Sequence, residues 1–283
     1  MSPINKSSIR PHKIITTLIL LTLILSLNSC AIRTSVRENQ YELSWSDEFN
    51  NSALDTTIWK KMKRVKNVRS FMHFTHDERF YNLNNGRLRL YARYNENYIP
   101  TDTAKYLTGG ISSEGKAHFK YGKIEVRVRF KGARGTWPAI WTLPINKQYR
   151  STKNPYYTEI DIVEYVDNND FAYQTIHNGY TLQNQKNWYK PLHHATSDIK
   201  LGKYNIYSVE ILHNEVIFSI NGKETLRYPR LKHIEHQFYY GIESFLMLHM
   251  QVNPPKSWSK GVDPTTFPAY MDIDWVRVYK LKE

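Results

Sequence analysis

Lys123-Ile124-Glu125-Val126-Arg127-Val128-Arg129-Phe130 alternates polar and apolar residues without a break. Successive side chains of a strand point to opposite faces, so Ile124, Val126, Val128 and Phe130 share one face and the charged residues the other. Such a strand is half-buried in an antiparallel sheet. Working outward, Gly86 to Tyr94 alternates in the same way. Tyr204 to Ile220 reads as two strands joined by a turn at His213-Asn214-Glu215, and Asn221-Gly222 is a tight-turn signal after Ile220. Met271 to Tyr279 forms a closing strand. No stretch after residue 42 sustains helical periodicity. Strands punctuated by Gly, Asn and Pro turns predict an all-β antiparallel sandwich rather than βαβ units. One domain is expected over residues 41–283.

The composition agrees with a folded domain. The chain has 283 residues, 41% hydrophobic and 23% charged, which is an ordinary globular balance. One cysteine excludes an intramolecular disulfide and a Cys-rich zinc site. The net charge of +13 suits either a generally basic surface or an anionic partner. Basic residues are scattered along strands, with no zinc-finger spacing and no Arg-rich recognition helix, so nucleic acid is not expected as a partner.

The first residues carry Lys6, Arg10 and Lys13, and no acid precedes Glu38. An apolar run follows from Ile14 to Leu27, shorter than the roughly 20 residues a membrane span needs. A basic start before an apolar run reads as a secretory signal. The run ends in Leu27-Asn28-Ser29-Cys30, which resembles a bacterial lipobox. Residues 1–29 are then the signal peptide, Cys30 the lipidated first mature residue, and residues 30–40 a tether. Losing Lys6, Arg10 and Lys13 takes the net charge from +13 to +10. Acyl chains would hold the protein on the outer membrane of a bacterial envelope without spanning it. Residues 31–40 lack an acidic run, which leans toward the periplasmic face.

The chemistry concentrates in Thr158-Glu159-Ile160-Asp161-Ile162-Val163-Glu164-Tyr165. Glu159 and Asp161 share a strand face, whereas Glu164 falls on the other unless a β-bulge adds one residue after Asp161. The Ile162-Val163 pair is where that residue fits. Three carboxylates on one face repel one another, so at least one should hold a proton near neutral pH. A protonated acid beside an ionised one is what glycoside hydrolysis uses, with about 5–5.5 Å between the two in retaining enzymes. Solvated surface acids, or carboxylates holding Ca²⁺ or Mg²⁺, are the other readings of the string.

These residues resemble glycoside hydrolase family 16. Trp45-Ser-Asp-Glu-Phe-Asn50 with Leu54-Asp55 and Trp59, Phe119 to Arg127, Gly135-Thr-Trp-Pro-Ala-Ile-Trp-Thr-Leu-Pro144, Glu159 to Glu164, Thr265 to Pro268 and Met271 to Tyr279 follow the order of that family's motifs. The resemblance implies a concanavalin-like β-jelly-roll with an open cleft across its concave sheet. It implies an endo-acting, retaining β-glycosidase, with Glu159 as nucleophile, Asp161 as assisting carboxylate and Glu164 as acid/base. Trp137 and Trp141 match cleft aromatics, and being four apart they would share a strand face; indole faces stack on pyranose rings. Trp258 and His177 match further substrate-contacting positions. His73, His76, Arg69 and Arg134 are weaker candidates, each equally readable as ordinary surface.

No cofactor is implied for catalysis. A structural calcium is, with Asp274 as side-chain ligand and a backbone carbonyl near Gly86. The chain departs from laminarinases at Thr158, where they tend to carry Gly, and at His249 to Trp258, where they carry a Gly-Gly loop. The first substrate expectation is a β-1,3/1,4-glucan. The alternative is an endo-β-1,4-galactosidase acting on mucin-type O-glycans or another galactan. A transglycosylase using the same intermediate and a non-catalytic glycan-binding lipoprotein are the competing readings. A monomer is expected.

Overall fold

The computed structural model describes residues 40–64, 72–95, 99, 101–184, 190–238, 241–253, 258–259 and 261–282. The expected signal peptide, Cys30, the tether up to residue 39 and Arg69 lie outside them. One compact unit spans Leu43–Leu281.

Sixteen strands are found among the described residues. The first eight are β1 (Tyr41–Asp47), β2 (Lys60–Lys61), β3 (Tyr81–Leu83), β4 (Leu88–Tyr94), β5 (Tyr106–Thr108), β6 (Gly110–Ser112), β7 (Gly122–Lys131) and β8 (Ala139–Pro144). There follow β9 (Thr158–Glu164), β10 (Phe171–Asn178), β11 (His194–Asp198), β12 (Asn205–Ile211), β13 (Glu215–Ile220), β14 (Lys223–Pro229), β15 (Ser244–His249) and β16 (Ala269–Leu281). Among the described residues one α-helix, α1 (Gly179–Gln183), starts at the capping residue Asn178.

The strands form two antiparallel sheets. One is ordered β14-β13-β12-β7-β16-β4-β3, with β1 added on β16 and β5 on β4. The other is ordered β11-β10-β9-β8-β15-β6-β2. This is the sandwich that the alternation in β7 predicts. Ile124, Val126, Val128 and Phe130 all point inward, and the charged residues between them stay on the outer face.

The two sheets share one core. Phe130 of the first sheet stacks on Tyr165, just after β9 of the second, with ring centroids 4.8 Å apart. Ile140, Ile162, Val163, Leu246 and Leu248 are among the second sheet's contributions. Burying each such side chain contributes about 1.5–3 kcal/mol.

The turns follow their residues. Asn221 and Gly222 both take left-handed φ, 52° and 78°, the geometry of a two-residue hairpin between β13 and β14. Gly86 is likewise a turn residue, with φ 65° next to Asn85 at 55°, so the strand begins at Leu88 and not at Gly86.

Candidate active site

The bulge in β9 decides the site. Trp141 of β8 pairs with Asp161, but the next residue back, Ile140, pairs with Val163, so Ile162 is the extra residue on β9. On the other side, Tyr173 pairs with Glu164 and Thr175 with Asp161, again with one residue more on β9. Ile162 and Val163 are both fully buried. Two successive core residues reset the alternation, and Glu159, Asp161 and Glu164 come to one side of the strand.

Each carboxylate meets a different environment. Glu159 is half-buried and accepts a hydrogen bond on Oε2 from the Tyr157 hydroxyl at 2.5 Å. Glu164 is buried, and its Oε1 accepts from the Trp137 indole at 3.0 Å. Asp161 is only 4% exposed, and its Oδ2 has no hydrogen-bond donor. Its nearest basic neighbour is His177 Nε2, at 3.4 Å.

Burial drives the electrostatics. It raises all three carboxyl groups above their ordinary range. The Tyr157 hydroxyl opposes the rise at Glu159. At Glu164 the charge of Glu159 adds to burial, while Trp137 and Thr175 oppose it. At Asp161 the charges of Glu164 and Glu159 add, and no group opposes them. His177 is pushed the other way, to about 4, by burial and then by His193 and His194, so it stands neutral. The three carboxyl groups therefore hold their protons to higher pH than free acids do, and they titrate as a set.

Backbone placement explains the tryptophans. Trp137 lies before β8 begins, so it does not share a strand face with Trp141 as the four-residue spacing predicts. It is placed instead by its own N–H on the Gln251 carbonyl at 2.7 Å. Gly135 makes that path possible. Its φ is 94°, its N–H reaches Asp167 Oδ1 at 2.7 Å, and a Cβ there would sit 2.7 Å from Val262 Cα. Trp141 stands opposite Asp161 and lines a cavity of about 690 Å³ together with Glu159 and Tyr157. Trp258, 46% exposed, packs edge-on to Trp137 at 4.9 Å and lies 4.5 Å from Tyr173. Trp137, Trp258 and Tyr173 thus gather at the Glu164 end, with Trp141 and Tyr157 beside Glu159.

Other expected residues fall elsewhere. His73 and His76 do not line that cavity; His76 Nε2 lies 3.2 Å from the Met62 carbonyl. Arg134 is exposed and near Asp263. Asp274 is an ion-pair partner of Arg127, which already neutralises the carboxylate expected to hold calcium. The Gly86 turn instead lies against the Asn50 side chain. Arg127 competes for the carboxylate oxygen that a calcium ion would take. Among the described residues, Glu159, Asp161 and His177 are the cluster with ligand atoms close enough to hold a metal, all within 4.8 Å of one another.

Tyr157, Tyr173, Thr175 and His193 escaped the sequence reading. Tyr157 stands two residues before Glu159, a same-face spacing that could have identified it. The others lie on or next to β10, and only the register brings them to the carboxylates.

The sequence profile of glycosyl hydrolases family 16 matches residues 69–277. A keratan-sulfate endo-1,4-beta-galactosidase of Sphingobacterium multivorum is 32% identical over 250 residues, covering 88% of this chain and 57% of that protein. The chain thus spans little more than half of that relative. A beta-glucanase of Rhodothermus marinus is 29% identical over 293 residues, covering 94% and 95%. The solved laminarinase from Rhodothermus marinus superposes with a TM-score of 0.74 at 26% identity, covering 86% of this chain and 98% of that one.

Proposed function

The chain belongs to glycosyl hydrolase family 16, and on that premise we propose that it is an endo-acting β-glycosidase that cleaves internal linkages of a polysaccharide with retention. The observation that carries the reading is the bulge that brings Glu159, Asp161 and Glu164 to one side of β9.

The hydrogen bonds divide the labour. Tyr157 occupies Oε2 of Glu159, so Oε1 is left to attack the anomeric carbon. Trp137 occupies Oε1 of Glu164, so Oε2 carries the proton for the leaving oxygen. The glycosidic C–O bond breaks as the Glu159–carbon bond forms. Once Glu159 is esterified its charge is gone, and with it one cause of the high proton affinity of Glu164. Glu164 then accepts a proton from water, whose oxygen displaces Glu159 and restores the original configuration. Asp161, whose carboxyl is pushed up by burial and by its two acidic neighbours, stays within reach of His177 at 3.4 Å.

A β-1,3/1,4-glucan is the first substrate reading, supported by the Rhodothermus marinus relatives. A β-1,4-galactan is the second, favoured by the keratan-sulfate relative and by the net charge of +13. The proposal places the enzyme on a bacterial membrane through an acylated Cys30, as a monomer. Palmitate incorporation lost in Cys30→Ala would check the anchor.

The test is a product screen. Residues 31–283 are incubated with laminarin, mixed-linkage glucan, keratan sulfate and gastric mucin, each beside Glu159→Gln. Internal cleavage products with retained configuration, absent from the variant, are expected. Binding without products from any polymer would leave a glycan-binding protein instead.

A further inference from the structure

The two ends of the cleft differ in charge. At the Glu164 end stand Trp137, Tyr173 and Trp258. At the Glu159 end the cavity of about 690 Å³ has Trp141, Phe245 and methionines in its walls, and Lys60, Lys61, Lys63 and Arg150 also line it, against the carboxylates of Glu114 and Glu159. That volume lies within the range of about 300–1,000 Å³ typical of ligand sites.

The cations exceed their local partners. Glu114 alone serves both Lys60 Nζ, at 2.9 Å, and Arg150 Nη1, at 2.5 Å. Lys61 is held by Glu78 and by the His76 carbonyl, outside the cavity. Lys63 is exposed and has no acidic partner among the described residues. Arg150 is fixed in place by the Pro144 and Ile145 carbonyls at 2.6 and 2.7 Å, with its guanidinium over Phe245. A neutral sugar would leave this surplus charge unanswered.

We propose that the cavity beside Glu159 receives a sugar bearing a sulfate ester or a carboxylate, with Lys63 and Lys60 contacting the anionic group and Arg150 setting the floor beneath it. This rests on the glycosidase reading, because the sugar transferred to Glu159 must project into the space that Glu159 lines. An anion there forms charge-assisted hydrogen bonds with ammonium donors in a partly closed site. It also gives the substrate an acidic group at the lysines, apart from the ring faces that Trp137 and Trp258 can meet.

The experiment offers the wild-type protein β-1,3-glucan, mixed-linkage β-glucan and keratan-type β-galactan, each in neutral, sulfated and carboxyl-oxidised form. On the backbone that is cleaved, an anionic form should have a kcat/KM about tenfold or more above the neutral form, the worth of one hydrogen bond to a charged group. The sulfated and oxidised arms tell which anion is taken. The preference should shrink as salt is raised, since the screening length falls from about 10 Å at 0.1 M to about 3 Å at 1 M. In Lys60→Ala/Lys63→Ala the ratio of anionic to neutral kcat/KM should collapse toward one, and Lys60→Arg/Lys63→Arg should restore it. Cleavage of the neutral form as good as or better than that of both anionic forms overturns the anion site while leaving the glycosidase intact. No cleavage of any backbone overturns the glycosidase reading and the anion site with it.

Discussion

Asp272 and Asp161 are both buried aspartates in the middle of a sheet, yet they are treated in opposite ways. Asp272 has no exposed surface, and its cross-strand neighbours on both sides are arginines, Arg89 on β4 and Arg129 on β7. Burial would raise its pKa, but hydrogen bonds from Arg89 Nε at 2.5 Å and Arg129 Nη2 at 2.5 Å outweigh it and hold the carboxyl below the usual range. Asp161 has Trp141 and Thr175 as cross-strand neighbours instead, and burial together with Glu164 and Glu159 of its own strand pushes it well up. The first arrangement stabilises a sheet. The second stores unfavourable charge beside a cleft, which is how sites that move protons are built.

Breaking the compensated member should cost most. Asp272→Ala leaves two partly exposed guanidinium groups without the buried anion that joins them and should destabilise the fold by about 1.5–3 kcal/mol. Denaturant unfolding reads this, and the surviving folded fraction should keep its turnover. A loss below about 1 kcal/mol would mean that water compensates the arginines.

Asp161→Asn should act in the reverse sense. Turnover should fall by about 10²-fold, because the proton arrangement of the site changes. Stability at pH 7 should rise by on the order of 1 kcal/mol, since an uncompensated buried acid is gone. The sign follows from linkage. An acid whose folded pKa lies above its unfolded value of 3.8 binds more protons when folded, so its cost is absent at low pH and grows as pH rises from that value. The advantage of Asn over Asp should therefore be seen at pH 7 and vanish near pH 3. Melting curves at both pH values check it; an equal gap at the two would show that the carboxyl is not uncompensated.

Tyr157→Phe is the mildest change. It removes the hydroxyl that lowers the proton affinity of Glu159. The acidic limb of the kcat/KM profile should move to higher pH, with about a tenfold loss at the optimum. An unmoved limb would detach Tyr157 from the nucleophile.

The contrast was half legible in the sequence. The bulge could be read because Ile162 and Val163 are adjacent apolar residues inside an otherwise alternating strand, and the register shift lies at that pair. Strand β7 was legible for the same reason: its alternation directly records burial. Asp272 was not. Its partners come from β4 and β7, and no local pattern links residues 89, 129 and 272. Asp274, two residues on, sits at the irregularity between Ile273 and Trp275 and pairs with Arg127. Trp137 donates to Glu164, but a backbone contact with Gln251 that spacing does not encode puts it there.

The bulge also makes the enzyme vulnerable in an uneven way. Swapping Val163 for another aliphatic residue alters only a fit in the core. Deleting it removes a phase, and every side chain on one flank of β9 would turn over, exchanging Glu164 with the core. One missing codon at that point therefore does what no single codon replacement there can do. Strand length, counted in whole residues, is itself part of the catalytic apparatus.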